Sequence, residues 1–206
     1  MDASTESYVF ADRPGTEKGG PALFLFHGTG GDEHQFLDLG AELMPGARRI
    51  GVRGDVSEGG ALRYFKRLAE GRYDMADLGR ATKKLAGFVG GVTAAEPASP
   101  TVGLGYSNGA NILASVLFEA PERFDVAVLM HPLIPFAPKP QPGLKGKRVL
   151  ITAGRRDPMA SVAATEALRA YFDAQGAEVS LVWHDGGHEI RREELLAVQQ
   201  FLGGLS

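Results

Sequence analysis

The 206-residue chain contains no cysteine. Disulfide bonds, a thiolate nucleophile and cysteine-based zinc or iron–sulfur sites are therefore excluded together. An excess of charge is also missing, since 22 basic and 25 acidic residues leave a formal net charge of -3 at pH 7. Such a balance indicates no surface for nucleic acid or for an anionic membrane, and it favours a small molecule as the partner.

Long hydrophobic runs are missing as well. The most apolar stretches, 22–26 (ALFLF) and 126–130 (VAVLM), are far shorter than the ~20 residues that span a bilayer. The first residues are polar and lack the basic start and apolar core of a secretory signal peptide, so we expect a cytoplasmic protein. The length and the 44% hydrophobic composition predict a single globular domain over 1–206.

Short apolar runs alternate with longer helical patterns along the chain. This alternation predicts an α/β fold, with a mostly parallel sheet of about seven strands and helices on both faces. The predicted strands are 7–11, 22–27, 48–53, 101–106, 125–131, 148–153 and 178–184. The predicted helices are 33–44, 75–91, 108–119, 159–175 and 190–203. We expect the remaining long segments, 54–74 and 132–147, to be irregular and to form pocket walls, because both follow strand C-terminal ends.

Ser107 is the predicted nucleophile. It lies in the G-x-S-x-G pattern of residues 105–109, between a predicted strand and a predicted helix, as that motif requires. Gly105 and Gly109 leave room for the tight turn that holds such a serine in a strained conformation. A dinucleotide-binding turn is the alternative, but Asn108 stands where its third glycine belongs, and the lysine of a phosphate-binding P-loop is missing.

The base that activates the serine is predicted to be His188. The chain has five histidines, at positions 27, 34, 131, 184 and 188. In a hydrolase sheet the order is serine, then acid, then histidine, and only His184 and His188 satisfy it. The glycines before His188 free its loop to reach the serine. Metal binding by His184 and His188 on one helix face is the alternative, but the intervening Asp-Gly-Gly disfavours a helix, so no metal is expected.

Asp157 is the predicted carboxylate partner of the histidine. It follows the predicted strand 148–153, at the sheet edge where Ser107 is also expected. The alternative role is a helix N-cap, because Pro158 is favourable at the first position of a helix. Asp185 is the second candidate for the carboxylate, although it is very near His188 in the sequence.

Two backbone N–H groups are predicted to stabilise the negative charge that develops on a substrate oxygen. One belongs to Asn108, at the start of the helix after the serine. The other is assigned to Thr29, in the glycine-rich loop after strand 22–27. The alternative for Thr29 is a plain strand-to-helix turn.

Four motifs in this order, LFLFHGTGGDE, GLGYSNGA, GRRDP and GGHE, carry a family resemblance. The chain resembles, over nearly its whole length, the small bacterial carboxylesterases of the phospholipase/carboxylesterase branch of the α/β-hydrolase superfamily. The resemblance implies a compact serine hydrolase with little or no lid and no metal or organic cofactor. It also implies the roles given above to Ser107, Asp157, His188, Thr29 and Asn108. One departure is Asn108 itself, where many relatives have glutamine or methionine.

The sequence therefore predicts a serine carboxylesterase that hydrolyses small to medium acyl or aromatic esters through an acyl-enzyme. A thioesterase with the same triad and a non-catalytic binding protein on a hydrolase scaffold are the alternatives. A dienelactone hydrolase would usually carry a cysteine nucleophile, which this chain lacks. The oligomeric state is left open between a monomer and a homodimer.

Apolar residues in loops after strands are candidates for the substrate pocket, with the hydrophobic core as the alternative. They are Tyr64, Phe65, Leu133, Ile134 and Met159. Three arginines, Arg53, Arg63 and Arg67, are candidates for contact with a substrate carboxylate, or else are solvated.

Overall fold

The computed structural model describes residues 8–205. Its strands are β1 (Phe10–Arg13), β2 (Ala22–Phe26), β3 (Arg48–Val52), β4 (Val56–Glu58), β5 (Ala61–Arg63), β6 (Arg67–Ala69), β7 (Arg72–Tyr73), β8 (Thr101–Tyr106), β9 (Val126–Met130), β10 (Arg148–Gly154) and β11 (Glu178–His184). Its helices are α1 (Leu37–Leu43), α2 (Met75–Ala95), α3 (Asn108–Glu119), α4 (Val162–Ala174) and α5 (Arg192–Gly203).

Seven strands form one sheet in the order β1-β3-β2-β8-β9-β10-β11. Only β1 is antiparallel to its neighbour, and all other pairs are parallel. Every residue of β2 and of β9 is buried, as expected for strands covered on both faces. Phe26, Gly105 and Leu129 lie side by side in the register, so β2, β8 and β9 end at the same edge of the sheet.

Helices cover both faces of the sheet, which confirms the predicted architecture. On one face α2, α3 and α4 pack around a core that includes Phe24, Phe88 and Phe172. On the other face α1 and α5 pack against Leu23 and Leu104. The two cores hold the strand ends in place, and the loops that follow these ends build the candidate site.

The prediction of an irregular segment at 54–74 is wrong. The segment contains two short antiparallel pairs, β4 with β5 and β6 with β7. Gly59 and Gly60 both have positive φ, of 58° and 92°, which is the backbone of a two-residue hairpin turn. This turn signal is present in the sequence as Glu-Gly-Gly-Ala.

Two predicted helices begin later than expected, because side chains form turns before them. The Asp32 side chain accepts the His34 N–H at 2.9 Å, and α1 begins only at Leu37. The Asp157 side chain accepts the Met159 N–H at 2.8 Å, and α4 begins at Val162. The first predicted strand, 7–11, is observed as β1, and its residue 7 lies outside the described residues.

No helix among residues 8–205 has both the length and the apolar character needed to cross a membrane.

Candidate active site

Ser107 connects β8 to α3 in a strained turn. Its φ of 53° and ψ of -115° are unusual for a residue with a side chain. A Cβ on Gly109 would overlap the carbonyl oxygen of Phe26, and one on Gly105 would overlap the carbonyl oxygen of Gly109. Only glycine therefore fits at these two positions. The Ser107 N–H donates to the Met130 carbonyl at 2.9 Å, which ties the turn to the neighbouring strand.

A continuous chain of hydrogen bonds links Ser107, His188 and Asp157. The Ser107 Oγ lies 2.8 Å from His188 Nε2. His188 Nδ1 lies 2.7 Å from Asp157 Oδ2. A carboxylate at this distance fixes the proton of the imidazole on Nδ1 and leaves Nε2 free to accept the serine proton. The three side chains come from three different strand ends, which the sheet aligns at one edge.

Asp157 is held as a carboxylate although its side chain is fully buried. Its Oδ1 accepts the N–H groups of Met159 and Ala160 at 2.8 and 3.2 Å. Burial alone would raise the pKa of Asp157, but the hydrogen bonds from His188 and His131 outweigh it and hold the pKa below its ordinary value. The helix N-cap role predicted as the alternative is wrong, because Ser161 caps α4 and Asp157 instead forms a turn before that helix.

The second candidates from the sequence lie elsewhere. The side chain of Asp185 is 88% exposed and lies 4.0 Å from Arg155, whereas the carboxylate that contacts His188 is that of Asp157. His184 is buried, and its Nε2 lies 3.3 Å from His131 instead of reaching Ser107.

The loop that carries His188 is fixed by the neighbouring tyrosine of the serine turn. The hydroxyl of Tyr106 donates to the His188 carbonyl at 2.7 Å, and its ring lies 5.5 Å from the imidazole. Arg156 Nε also donates to the Asp185 carbonyl at 2.7 Å, in the same loop. Burial raises the pKa of Tyr106, so this hydroxyl remains a donor. Tyr106, the residue before the serine in the G-x-S-x-G motif, therefore positions the loop of His188, a role that the motif alone does not reveal.

The N–H groups of Thr29 and Asn108 have no hydrogen-bond partner among residues 8–205, and both residues line one cavity with Ser107. The Thr29 hydroxyl accepts a hydrogen bond from Arg63 Nη1 at 2.7 Å. The Asn108 Oδ1 accepts the Tyr64 N–H at 2.8 Å. The side chains of both residues are therefore anchored to the segment 61–65.

His27, in the motif HGTGG, secures the loop of Thr29. Its Nε2 accepts the Gly54 N–H at 2.8 Å, so its proton is on Nδ1, which donates to the Gly28 carbonyl at 2.7 Å. The Tyr64 hydroxyl accepts the His27 N–H at 3.0 Å. Burial lowers the pKa of His27, which fits this neutral form. In the sequence alone, His27 is only one of five candidates for the catalytic base.

The cavity beside Ser107 has a volume of about 20 Å³, which is room for roughly one water molecule. It is lined by Thr29, Arg63, Arg67, Glu70, Tyr73, Ser107, Asn108, Asn111, His131, Leu133, Met159 and His188. Two of the five pocket candidates, Leu133 and Met159, are in this lining.

The other three pocket candidates are placed elsewhere. Tyr64 and Phe65 are fully buried in the hydrophobic core. Ile134 lines a separate cavity of about 310 Å³ near α4. Their assignment to the pocket beside Ser107 is therefore wrong, and the alternative of a core position holds for the two aromatic residues.

The three candidate arginines all have acidic partners. Arg53 makes two hydrogen bonds to Glu33, at 2.5 and 2.7 Å, and does not line the cavity. Arg63 and Arg67 do line it, and both are within 3.4 Å of Glu58. The positive charge at the cavity is therefore largely balanced by protein carboxylates.

Two groups of histidine and acidic side chains have ligand atoms within 4.8 Å of one another: His131, His184 and Glu194, and His131, Asp157 and His188. The Gly186 N–H donates to His184 Nδ1 at 3.0 Å. The proton of a neutral His184 is therefore on Nε2, which faces the first group and has no lone pair to offer a metal. In the second group, the nitrogens that meet Asp157 already donate to it. We assign neither group to a metal.

Sequence analysis missed His131, which lies directly behind Asp157. Its position immediately after β9 is the same signal that identified Asp157 after β10, since both side chains stand at the ligand-binding edge. His131 was set aside because it precedes the acid in the chain. Its φ of 52° is the other left-handed conformation of a non-glycine residue within 8–205.

Comparison with known proteins finds hydrolases and carboxylesterases, although no family model matches the chain. The chain is 42% identical over 176 residues to MhqD of Bacillus subtilis, which is named as a hydrolase, and the match covers 84% of this chain and 87% of MhqD. A solved carboxylesterase from Bacillus cereus is 35% identical, with a TM-score of 0.91 over 97% of this chain and 95% of its own. A protein of unknown function from Agrobacterium tumefaciens is 53% identical, with a TM-score of 0.93 over the whole of both chains.

The chain belongs to the carboxylesterase family of α/β-hydrolases. The esterase is accordingly a carboxylic ester hydrolase, as predicted from the serine motif and its neighbours. Its substrates as a class are small-molecule esters.

Proposed function

We propose that this esterase is a serine carboxylesterase in which Ser107 is the nucleophile, His188 the general base and acid, and Asp157 the carboxylate that orients the imidazole. The proposal rests on one observation, the unbroken hydrogen-bond chain of 2.8 and 2.7 Å from the serine hydroxyl to the buried carboxylate. A serine hydroxyl is a weak nucleophile until such a base removes its proton.

The reaction proceeds in two halves. In the first, the Ser107 oxygen bonds to the ester carbonyl carbon while its proton moves to His188 Nε2. The bond to the leaving alcohol then breaks, and His188 returns the proton to the alcohol oxygen. In the second half, water attacks the acyl-enzyme, His188 takes its proton, and the carboxylic acid is released as the serine hydroxyl reforms.

The N–H groups of Thr29 and Asn108 are the proposed donors to the oxyanion in both halves. Both residues line the cavity that Ser107 borders, and Asn108 begins a helix of 12 residues, so its N–H is at the positive end of the helix dipole. Donors of this kind contribute several kcal/mol of transition-state stabilisation.

The small cavity favours short acyl groups. A volume of about 20 Å³ leaves room for little more than a methyl-sized group beside the proposed oxyanion donors. We therefore expect small acyl or aryl esters to be hydrolysed faster than long-chain esters. A thioesterase would use the same residues, and the comparison of matched oxygen esters and thioesters separates the two activities.

The test is labelling with a fluorophosphonate, which modifies activated serines. We expect modification at Ser107 that disappears in Ser107→Ala and persists in Ser115→Ala, a buried serine of α3 whose hydroxyl donates to the Asn111 carbonyl at 2.8 Å. Hydrolysis of p-nitrophenyl acetate should be lost with the label. An unmodified wild-type protein would overturn the proposal and favour a non-catalytic binding protein, and faster turnover of the matched thioester would favour the thioesterase.

A further inference from the structure

A buried polar cluster lies behind the triad and has no part in the reaction as described. It consists of His131, His184 and Glu194, from the ends of β9 and β11 and the first turn of α5. All three residues are at most 5% exposed. Buried titratable groups are costly unless they are paired, so the partners of each group need to be identified.

His131 and His188 share one oxygen of Asp157. The Asp157 Oδ2 lies 2.7 Å from His188 Nδ1 and 3.0 Å from His131 Nδ1. An ionised carboxylate only accepts hydrogen bonds, so both nitrogens carry a proton. One carboxylate oxygen of Asp157 therefore accepts hydrogen bonds from two imidazoles, whose ring centres are 5.2 Å apart.

The other nitrogen of His131 meets a second buried carboxylate. His131 Nε2 lies 3.2 Å from Glu194 Oε2 and 3.4 Å from Oε1. Glu194 also accepts the Thr152 hydroxyl and the Arg191 N–H, both at 2.7 Å. Burial would raise the pKa of Glu194, but the hydrogen bonds from His131 and Thr152 hold it below its ordinary value, so the side chain is a carboxylate.

With Asp157 and Glu194 both ionised, two proton arrangements are compatible with these contacts. In one, His131 is neutral and accepts a hydrogen bond from His184 Nε2 at 3.3 Å. The lone pair of His131 Nε2 then faces the Glu194 carboxylate at 3.2 Å, and two buried negative charges have no cation between them. In the other, His131 is an imidazolium that donates to both carboxylates. The second arrangement brings the N–H groups of His131 and neutral His184 within 3.3 Å of each other, but it replaces the repulsion between a lone pair and a carboxylate by a hydrogen bond and balances one of the two buried charges.

We propose that His131 is a permanently protonated positioning residue that bridges Asp157 and Glu194 and withdraws part of the charge of Asp157 from His188. Although burial lowers the pKa of His131, the hydrogen bonds and charges of Glu194 and Asp157 outweigh burial and raise it. The groups that face His131 are Asp157, His188, Glu194, His184 and the ring of Tyr106, from every element packed against it.

A protonated His131 would affect the pH dependence of esterase activity on its acid side. This consequence rests on the proposed triad. Catalysis requires His188 to be neutral in the free enzyme. A fixed positive charge beside Asp157 disfavours a second positive charge on His188, so the esterase remains active at lower pH than it would with an unshared carboxylate. Replacing His131 by a neutral hydrogen-bond donor should move the acid limb of kcat/KM upward by about one pH unit.

The first measurement is made on the wild-type protein and is independent of activity. Nitrogen-15 NMR of the imidazoles at pH 8 is expected to show both ring nitrogens of His131 protonated, in a protein with only five histidines. A single protonated nitrogen on His131 would overturn the proposal. This readout stands even if Ser107 fails to react with a fluorophosphonate, so failure of the triad and failure of the inference are distinguishable.

The second measurement compares His131→Gln with a matched control, Thr152→Val, by the pH dependence of p-nitrophenyl acetate hydrolysis. The control removes a buried hydrogen bond to Glu194 and leaves the charge of His131 in place, so its acid limb should coincide with that of the wild type. We expect the acid limb of the pH profile to shift to higher pH in His131→Gln and to stay in place in Thr152→Val. Coincident limbs for all three proteins, or equal shifts in both variants, would overturn the inference.

Discussion

The phenol oxygen of Tyr73 lies 2.8 Å from the side-chain nitrogen of Asn111 and donates to the Leu133 carbonyl at 2.7 Å. The Asn111 oxygen in turn accepts the Leu133 N–H, also at 2.7 Å. One asparagine on the helix after Ser107 thus fixes both the hairpin of β7 and the loop after β9. Both segments contribute to the cavity of the esterase.

Asn111→Ala is expected to destabilise the protein and to loosen this cavity wall. The partly buried Leu133 N–H and the Tyr73 hydroxyl lose partners, which costs about 1–3 kcal/mol. Urea unfolding should show this loss, and KM for p-nitrophenyl acetate should rise while Ser107 is still labelled. Ser115→Ala, on the same helix, leaves no unpaired partner and should cost less than about 1 kcal/mol. Equal stability of the two variants would contradict the anchoring role.

Asp157→Asn is expected to reduce kcat by roughly four orders of magnitude, because an amide no longer holds the His188 proton on Nδ1. Asp185→Asn is the matched control, since that side chain is 88% exposed and close to the same loop. Its rate should remain near that of the wild type. A strong loss in Asp185→Asn together with an active Asp157→Asn would transfer the orienting role to Asp185. Circular dichroism of both variants checks that they fold.

Gly109→Ala is expected to cost about 3 kcal/mol of stability, because its Cβ would collide with the backbone carbonyl of Phe26 at the end of β2. Gly87→Ala, in the middle of α2, is the matched control. Nothing lies within 4 Å of a Cβ at this position, so alanine should stabilise the helix by about 0.5–1 kcal/mol. Urea midpoints measure both changes. A tolerated Gly109→Ala would mean that the serine turn is less confined than its geometry indicates.

The fold was predictable because short apolar runs mark most strands of the main sheet in the sequence. β8, a run of mostly buried residues, has the predicted bounds, and so does the edge strand β11, where apolar and polar residues alternate at the start. The hairpins within 54–74 were missed because their strands are only two to three residues long and polar, and the turn glycines alone mark them. Helix starts were missed where Asp32 and Asp157 bind backbone N–H groups, which is a contact that no periodicity reveals.

The candidate site was predictable where the chemistry requires a residue type at the end of a strand. Ser107, Asp157 and His188 follow β8, β10 and β11, and the parallel sheet brings these ends together. The pocket was less predictable, because an aromatic residue such as Phe65 fills a core as well as a pocket, and only the path of the chain decides. His131 was missed since its role depends on Glu194, which is 63 residues away in sequence.

His27 makes the stability of the esterase depend on pH. Burial lowers its pKa below the ordinary 6.5, so the native protein holds it neutral, whereas the unfolded chain binds a proton as the pH falls below 6.5. The contribution of His27 is therefore present above this value and is lost with decreasing pH. The raised pKa of His131 makes its contribution to stability change with pH in the opposite sense. Because His131 is present in both the wild type and a His27 variant, its contribution cancels when the two proteins are compared.

His27→Gln should consequently flatten the dependence of stability on pH between about pH 7.5 and 5.5. The glutamine oxygen can accept the Gly54 N–H, so the fold should persist, and the difference between the two proteins isolates the titration of His27. His34→Gln is the matched control, because that ring is 57% exposed to solvent. Urea midpoints at several pH values give the slopes. Parallel slopes for the wild type and His27→Gln would show that the buried imidazole of His27 takes up a proton as readily in the native protein as in the unfolded chain.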